Sequence, residues 1–408
     1  MLQWENSENA TPILSWCMEM DEKTLEQVKN LANHPVVRER VCLMPDAHVG
    51  YGMPIGGVIA CEDAVIPNAV GVDIGCGMGA VKTSLRAEQF TDMAHLRKLV
   101  NVIKAHIPVG EGNARKERIP WNGFAEWREM VGADLPVWMT EKSGDLDRRN
   151  LGTLGGGNHF IEIQQDEDGC VWVMLHSGSR NMGQRIATFY HKEAMRLNAE
   201  MGVQLPDSHL AFLPVGTETG AAYVRDMNHA LAYARENRRI MLAHVKSILA
   251  DFFPDIEFQS EVNIHHNYAA LEEHGGKTRW VHRKGATSAK AGETGIIPGS
   301  MGTSSYIVEG LGNPLSFMSC SHGAGRRLGR SQANRTLTLA DCEEAMQGIV
   351  YDRFGFSRSS QARDADGKKL RDLSEAPLAY KDIDAVITAE NDLVKPLVKL
   401  RPLAVVKG

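Results

Sequence analysis

Asp73 and Cys76 stand three positions apart in GVDIGCGMG, and His159, His176, His266 and His322 sit in the short strings GNHFIE, HSGSR, HHNY and SHGAGR. A carboxylate, a thiolate and several imidazoles form a ligand set for Mn, Fe, Co or Zn rather than Mg or Ca, because soft and borderline donors select transition metals. On a tight turn both Asp73 and Cys76 can reach one ion or an ion pair, with the thiolate able to bridge. Taken singly, each motif also fits a core turn or a structural histidine; it is their number in one chain that argues for a shared centre. His265 and His266 are adjacent, so on a strand they face opposite sides and only one can join; the His-Asn order favours His266. His48 in PDAH and His282 in HRKG suit groups that orient ligands or contact phosphate. The remaining histidines (34, 95, 106, 191, 209, 229, 244 and 274) lack accompanying glycines and read as surface or packing residues.

These residues need elements that carry them to one place. VCLMPDAHVGYG reads as a strand ending in a polar loop, IGGVIA and the segment around AVGVDIGC as short apolar strands, and CVWVMLHSGSR as a strand delivering His176 at its exit. EFQSEVNIHHNY, TRWVHRKGA and SFMSCSHGAG also run into polar loops, and LAVVKG reads as a last strand. Helices are predicted around Asp21–Leu31, Ala87–His106, 182–202, 219–252, 338–351 and 381–396. Residues 109–150 read as a charged, irregular, mobile loop, and 356–374 as a polar solvent loop. Because residues 73 to 322 must converge, the chain interleaves rather than dividing into separate domains.

The chain has 408 residues, 43% hydrophobic and 24% charged, which is ordinary globular composition with room for a large core. A net charge of −6 removes the footprint of a nonspecific nucleic-acid binder, so RNA or DNA would have to meet a local basic face. Arg326, Arg327 and Arg330, Arg283 and Lys284, Arg180, and the cluster Arg115, Lys116 and Arg118 offer such faces, each equally readable as solvated surface. Seven cysteines with no CxxC pair point to reduced thiols and a cytoplasmic setting, and neither a signal peptide nor a membrane span is evident.

Several chemistries fall away. GGKT at 275–278 has Leu271 where a phosphate loop needs its first glycine, and no HExxH string occurs. One competitor remains: Cys320 and Arg326 fit Cys-x5-Arg, in which a low-pKa thiolate attacks phosphorus and the arginine grips its oxygens. That reading leaves the metal-type cluster unexplained.

The strings PDAHVGYG, GVDIGCGM, GNHFIE, HSGSR, HHN, RKGA, IPGSMGTSSY, SHGAGR, AYKDID and a terminal KG follow one another in one chain. In this the sequence closely resembles the RtcB family of RNA ligases, from about residue 40 to the C-terminus. The resemblance implies an α+β fold, a single multi-layered domain over residues 1–408 with mixed sheets flanked by helices. It implies GTP- and Mn²⁺-dependent joining of an RNA 3′-phosphate, or 2′,3′-cyclic phosphate, to a 5′-hydroxyl, in tRNA splicing or RNA repair. Asp73, Cys76, His159, His176 and His266 become ligands of two Mn²⁺ ions, with Cys76 bridging, and His322 takes GMP covalently. Asn158, Glu162, Ser300, Ser305, Tyr380 and Lys407 hold the guanine nucleotide, Glu162 and Lys407 through its base. Arg180, Arg326 and Arg330 grip RNA phosphates, and an accessory activator protein is a partner the resemblance allows. Asn181, Met182 and Tyr51 depart from the usual family residues, which bears on substrate preference. The alternatives are a metal-dependent RNA-end phosphatase or cyclic phosphodiesterase that does not ligate, and a noncatalytic RNA-end binder.

Overall fold

The computed structural model describes residues 2–4, 11–90, 92–132, 134–356, 369 and 371–408. It is an α+β structure: among these residues, strands form a six-stranded sheet, a seven-stranded sheet and two small two-stranded pairs. The seven-stranded sheet runs in the order Phe258–His265, Gly77–Arg86, Cys170–Ser177, Phe160–Gln165, Val394–Lys407, Ser305–Gly310, Thr294–Ile297. Every neighbour is antiparallel, and the register sets Gly77 against both His265 and Ser177, Phe160 against His176, and Lys407 against Phe160. One end of the sheet therefore gathers the chain at residues 76–78, 159–160, 176–177, 265–266 and 407.

Cys170–Ser177 reads as a nearly unbroken apolar run because both faces of its sheet are covered. Alternation sends Val171, Val173 and Leu175 toward the helices Met93–His106 and Glu218–Phe252, and Trp172 and Met174 into the core on the opposite face. The 35-residue helix Glu218–Phe252 begins at Thr217, whose side chain accepts from Gly220 N, and it packs along the strands that carry the site.

The six-stranded sheet contributes Val37–His48, Ile55–Cys61, Lys277–Lys284 and Asn267–His274. From the end of Lys277–Lys284 the chain passes through Ala286–Ser288, which pairs with Ser319–Ser321 and so delivers His322 toward the end of the larger sheet.

Several expectations change. AVGVDIGC is not a strand: Pro67–Val70 is a short helix, and a turn closed by Cys76 N to Asp73 O at 3.0 Å leads into the strand at Gly77. Residues 109–150 are not simply a loop, since they contain helices Gly123–Val131 and Glu141–Asn150, the latter with a Thr140/Ser143 capping box. Trp127 and Trp138 bind the Asp226 carboxylate through their indole N–H groups, which tethers that region to the long helix. The helix expected from Ala87 starts at Met93, where Asp92 caps it. The helices expected near 338–351 and 381–396 are confined to Leu339–Glu344 and Ile383–Ala389, and the last strand is longer than LAVVKG. Most of the expected 356–374 solvent loop, residues 357–368 and 370, lies outside the described residues. No helix among the described residues is long and apolar enough to cross a membrane.

Candidate active site

Cys76, His159 and His176 place their ligand atoms within 4.8 Å of one another, all three buried, and could hold a metal ion. Cys76 Sγ lies 3.1 Å from His176 Nε2 and 3.5 Å from His159 Nε2. The cluster extends on both sides: Asp73 Oδ2 is 3.3 Å from His159 Nε2, and His266 Nε2 is 3.3 Å from His176 Nε2. His265 points the other way, so the strand separates the two adjacent histidines as their alternation requires.

The tautomers suit ligation. His159 Nδ1 donates to Leu154 O at 2.9 Å and His176 Nδ1 to Asn158 O at 3.2 Å, which turns each Nε2 toward the other ligand atoms of the cluster. Burial, reinforced by neighbouring histidines, pushes His176 and His266 well below the usual imidazole range, so both are neutral. Burial and the adjacent Asp73 push the Cys76 thiol well up, so a cation binding there must displace its proton. Burial would raise Asp73, but His159 and Arg180 outweigh it and hold the carboxyl below the ordinary value. A Cβ on Gly178 would lie 2.3 Å from Asp73 Oδ1, so the carboxylate fits only against bare backbone.

Arg238, fully buried on the long helix, was not singled out in the sequence. Its guanidinium donates to Gly75 O at 2.8 Å and Ser177 O at 2.9 Å, to Asn263 Oδ1 at 2.8 Å, and lies 3.0 Å from His265 Nδ1. Gly75, Ser177 and His265 each adjoin a residue of the cluster in sequence, so one side chain fixes the backbone beside Cys76 and His176 and the imidazole beside His266.

His322 stands next to this cluster, its ring centroid 4.8 Å from that of His266. Its Nδ1 is 2.6 Å from Oδ2 of Asp46, which also accepts from the His322 backbone N at 3.2 Å. Asp46, wholly buried, is a second residue the sequence reading missed; it lies within PDAH, beside the histidine that drew attention there. His48 lines the same pocket as His322, whereas His282 is buried and accepts from Ile66 N at 3.0 Å, which corrects its expected phosphate contact.

The pocket holding His322 encloses about 140 Å³, and Asn158, Ser300, Arg326, Arg330, Tyr380 and Lys407 share its wall. Glu162 and Ser305 lie behind the wall: Gln164 Nε2 donates to both, at 2.7 and 3.2 Å. Burial pushes Glu162 up to about 8, against the opposing charge of Lys407. Glu375 joins Arg326 at 3.3 Å, Arg330 at 3.0 Å, Lys407 at 3.6 Å and the Tyr380 hydroxyl, so one carboxylate orders the polar side of the pocket. Arg180 stands apart, its Nε donating to Thr153 Oγ1 at 3.1 Å, with Gly155 leaving room for the guanidinium.

Two other features are resolved. Arg283 and Lys284 are buried rather than a basic face, Arg283 pairing with Glu272 at 2.6 Å. Cys320 is wholly buried and its thiol is pushed well up by burial, the opposite of what a thiolate nucleophile requires.

Comparison with known proteins identifies the family. The family model described as tRNA-splicing ligase RtcB matches residues 27–408. The chain is 39% identical to an RNA-splicing ligase RtcB of Escherichia coli strain K12 over 421 aligned residues, covering 98% of both proteins. It is 34% identical to a tRNA-splicing ligase RtcB of Pyrobaculum aerophilum, covering 95% of this chain and 91% of the relative. An RNA-splicing ligase RtcB of Mycobacterium bovis shares 32% identity, with 94% and 100% covered. By these matches over nearly its whole length, the chain belongs to the RtcB family of RNA-splicing ligases.

Proposed function

We propose that residues 1–408 act as one catalytic domain, a cytoplasmic ligase that joins RNA 3′-phosphate or 2′,3′-cyclic phosphate ends to 5′-hydroxyl ends through a histidine–GMP intermediate. The observation that carries this reading is the pairing of His322 with Asp46 beside the cysteine–histidine cluster. Asp46 accepts a hydrogen bond from Nδ1–H, which keeps that proton on Nδ1 and leaves the Nε2 lone pair as the nucleophile. That nitrogen attacks the α-phosphorus of GTP, an N–P bond forms, and pyrophosphate leaves. An oxygen of the RNA 3′-phosphate then takes the GMP and frees His322. The 5′-hydroxyl finally attacks the RNA phosphorus and expels GMP, a leaving group the bare phosphate lacks. A cyclic phosphate must be opened before guanylylation.

Asp73, Cys76, His159, His176 and His266 would hold two Mn²⁺ ions, which supply positive charge to the phosphoryl oxygens when bound. Asn158, Ser300, Tyr380 and Lys407 would seat the nucleotide, with Glu162 and Ser305 behind them. Glu162 and Lys407 would hydrogen-bond the base. Arg180, Arg326 and Arg330 would grip RNA phosphates, Arg330 being the most open of the three, with 58% of its side chain exposed.

The test is incubation with α-labelled GTP and Mn²⁺, followed by RNA bearing a 3′-phosphate. Label should become protein-bound and then pass to the RNA end. A protein that releases phosphate from RNA ends without ever acquiring label would instead be the phosphatase or phosphodiesterase of the competing reading.

A further inference from the structure

A second groove, about 830 Å³, begins at Asp73 and His159 and runs away from His322, sharing Asn158, Met301, Arg330, Glu375 and Lys407 with the first pocket. Its far wall is the stretch Asp352–Phe356, held by a bridge between Phe356 and Arg371, by Asp372 N to Gly355 O at 2.8 Å, and by Arg371 Nη1 to Phe354 O at 3.1 Å. Phe354 turns into the core, but Phe356 is 55% exposed, and the Arg371 guanidinium carbon lies 4.2 Å from its ring centroid. A cation against a phenyl ring fixes the ring's orientation and leaves a flat apolar surface facing solvent.

The charges along this wall divide unequally. Asp352 is paired with Lys104 at 2.6 Å, Asp372 accepts from the Ser374 backbone N and hydroxyl, and Glu375 is engaged by Arg326 and Arg330. Glu111, nearer the metal end, faces the charge of Arg180. Arg353, exposed on the same stretch as Phe356, has no hydrogen bond or ion pair among the described residues. The wall thus offers, within four residues, one oriented aromatic face and one guanidinium that makes no hydrogen bond or ion pair among the described residues and also borders a cavity with Glu343 and Tyr351, at the end of a groove that opens on the candidate metal ligands. Single-stranded nucleic acid carries the complementary pair, a base with a π-face and a phosphate beside it.

We infer that this groove is a subsite for single-stranded RNA near the reacting end, with a base stacked on Phe356 and an adjacent phosphate on Arg353. The inference rests on the ligase reading for the identity of the RNA. The strand that enters is the one ending in the 3′-phosphate or the one beginning with the 5′-hydroxyl, and the two are separated by where a probe is placed.

The test uses the full chain loaded with Mn²⁺ and RNA oligonucleotides carrying 2-aminopurine at successive positions from either end. One position in one strand should be quenched by stacking. Phe356→Ala should abolish that quench and weaken binding about 5- to 150-fold, the equivalent of ~1–3 kcal/mol for one stacked base, while Phe356→Trp retains both. Arg353→Gln should lower the logarithmic salt slope of binding by about 0.7. Melting temperatures of the variants check that they fold. Wild-type quench and affinity in Phe356→Ala, or an unchanged salt slope in Arg353→Gln, would overturn the subsite. Failure of the wild type to take label from GTP, with the Phe356-dependent quench intact, would instead overturn the ligase reading and leave the RNA subsite standing.

Discussion

Asp46 holds His322 twice, through the ring Nδ1 at 2.6 Å and the backbone N at 3.2 Å, so tautomer and loop position are set by one buried carboxylate. Asp46→Asn preserves the shape but offers an amide that can also donate, which removes the preference for a proton on Nδ1. Self-labelling with GTP should fall by about 100-fold or more, the scale of a lost proton-positioning group. His322→Ala should take no label, while Cys320→Ser should keep most activity because its thiol is packed in the core. Single-turnover labelling measures all three, and near-normal rates in Asp46→Asn would detach it from the nucleophile.

Metal uptake should depend on pH in a defined direction. Burial and Asp73 keep the Cys76 proton on in the metal-free protein, so binding must release it, and affinity should rise as pH is raised from about 6 to about 8. Cys76→Ser should bind metal more than about tenfold more weakly and lose the thiolate-to-metal absorption seen with Co²⁺. Full occupancy with unchanged absorption in Cys76→Ser would show that the sulfur is not a ligand.

Arg238 bonds the carbonyls of Gly75 and Ser177, and its loss leaves those buried acceptors unpaired. Arg238→Met should weaken metal binding about 10- to 100-fold, the range for residues that orient ligands, and distort the Co²⁺ spectrum. Arg238→Lys should recover only part, since an ammonium cannot span four acceptors in one plane. A wild-type Co²⁺ spectrum in Arg238→Met would reduce this residue to general packing.

Burial pushes Glu390 up to about 8, although Ser321 donates to it through both N and Oγ. A carboxyl raised in the folded state binds a proton there that the unfolded chain has already released. Its contribution is present below about pH 4.5 and is lost as pH climbs toward about 8, at up to about 1.4 kcal/mol per pH unit. Glu390→Gln should therefore gain on the wild type as pH rises from about 6 to about 8 in urea unfolding. Parallel stability curves for the two proteins would mean that Glu390 is ionised in the fold.

The ligand residues were legible because their types are specific and each sits at a strand end or turn that its neighbours announce. His176 closes an apolar run, Cys76 precedes a glycine-rich strand, and strand alternation admits only one of His265 and His266, the His-Asn order favouring His266. The ordered motifs carried the family, and with it the α+β class. What the sequence left hidden has one physical cause: contacts between residues far apart in the chain. Asp46 meets His322 across 276 positions, and nothing local marks it as more than a loop acid. Arg238 lies in a 35-residue helix, where its spacing is that of any buried helical residue, and only the folded helix shows that it reaches the backbone beside Cys76 and His176 and the imidazole beside His266. Arg283 and Lys284 read as a basic face because composition cannot report burial, and the fold turns them inward. The sequence determined which side chains could do chemistry, since ligand type and strand periodicity are local properties. Only the tertiary structure decided which of them meet, because each pairing depends on where two sheets end.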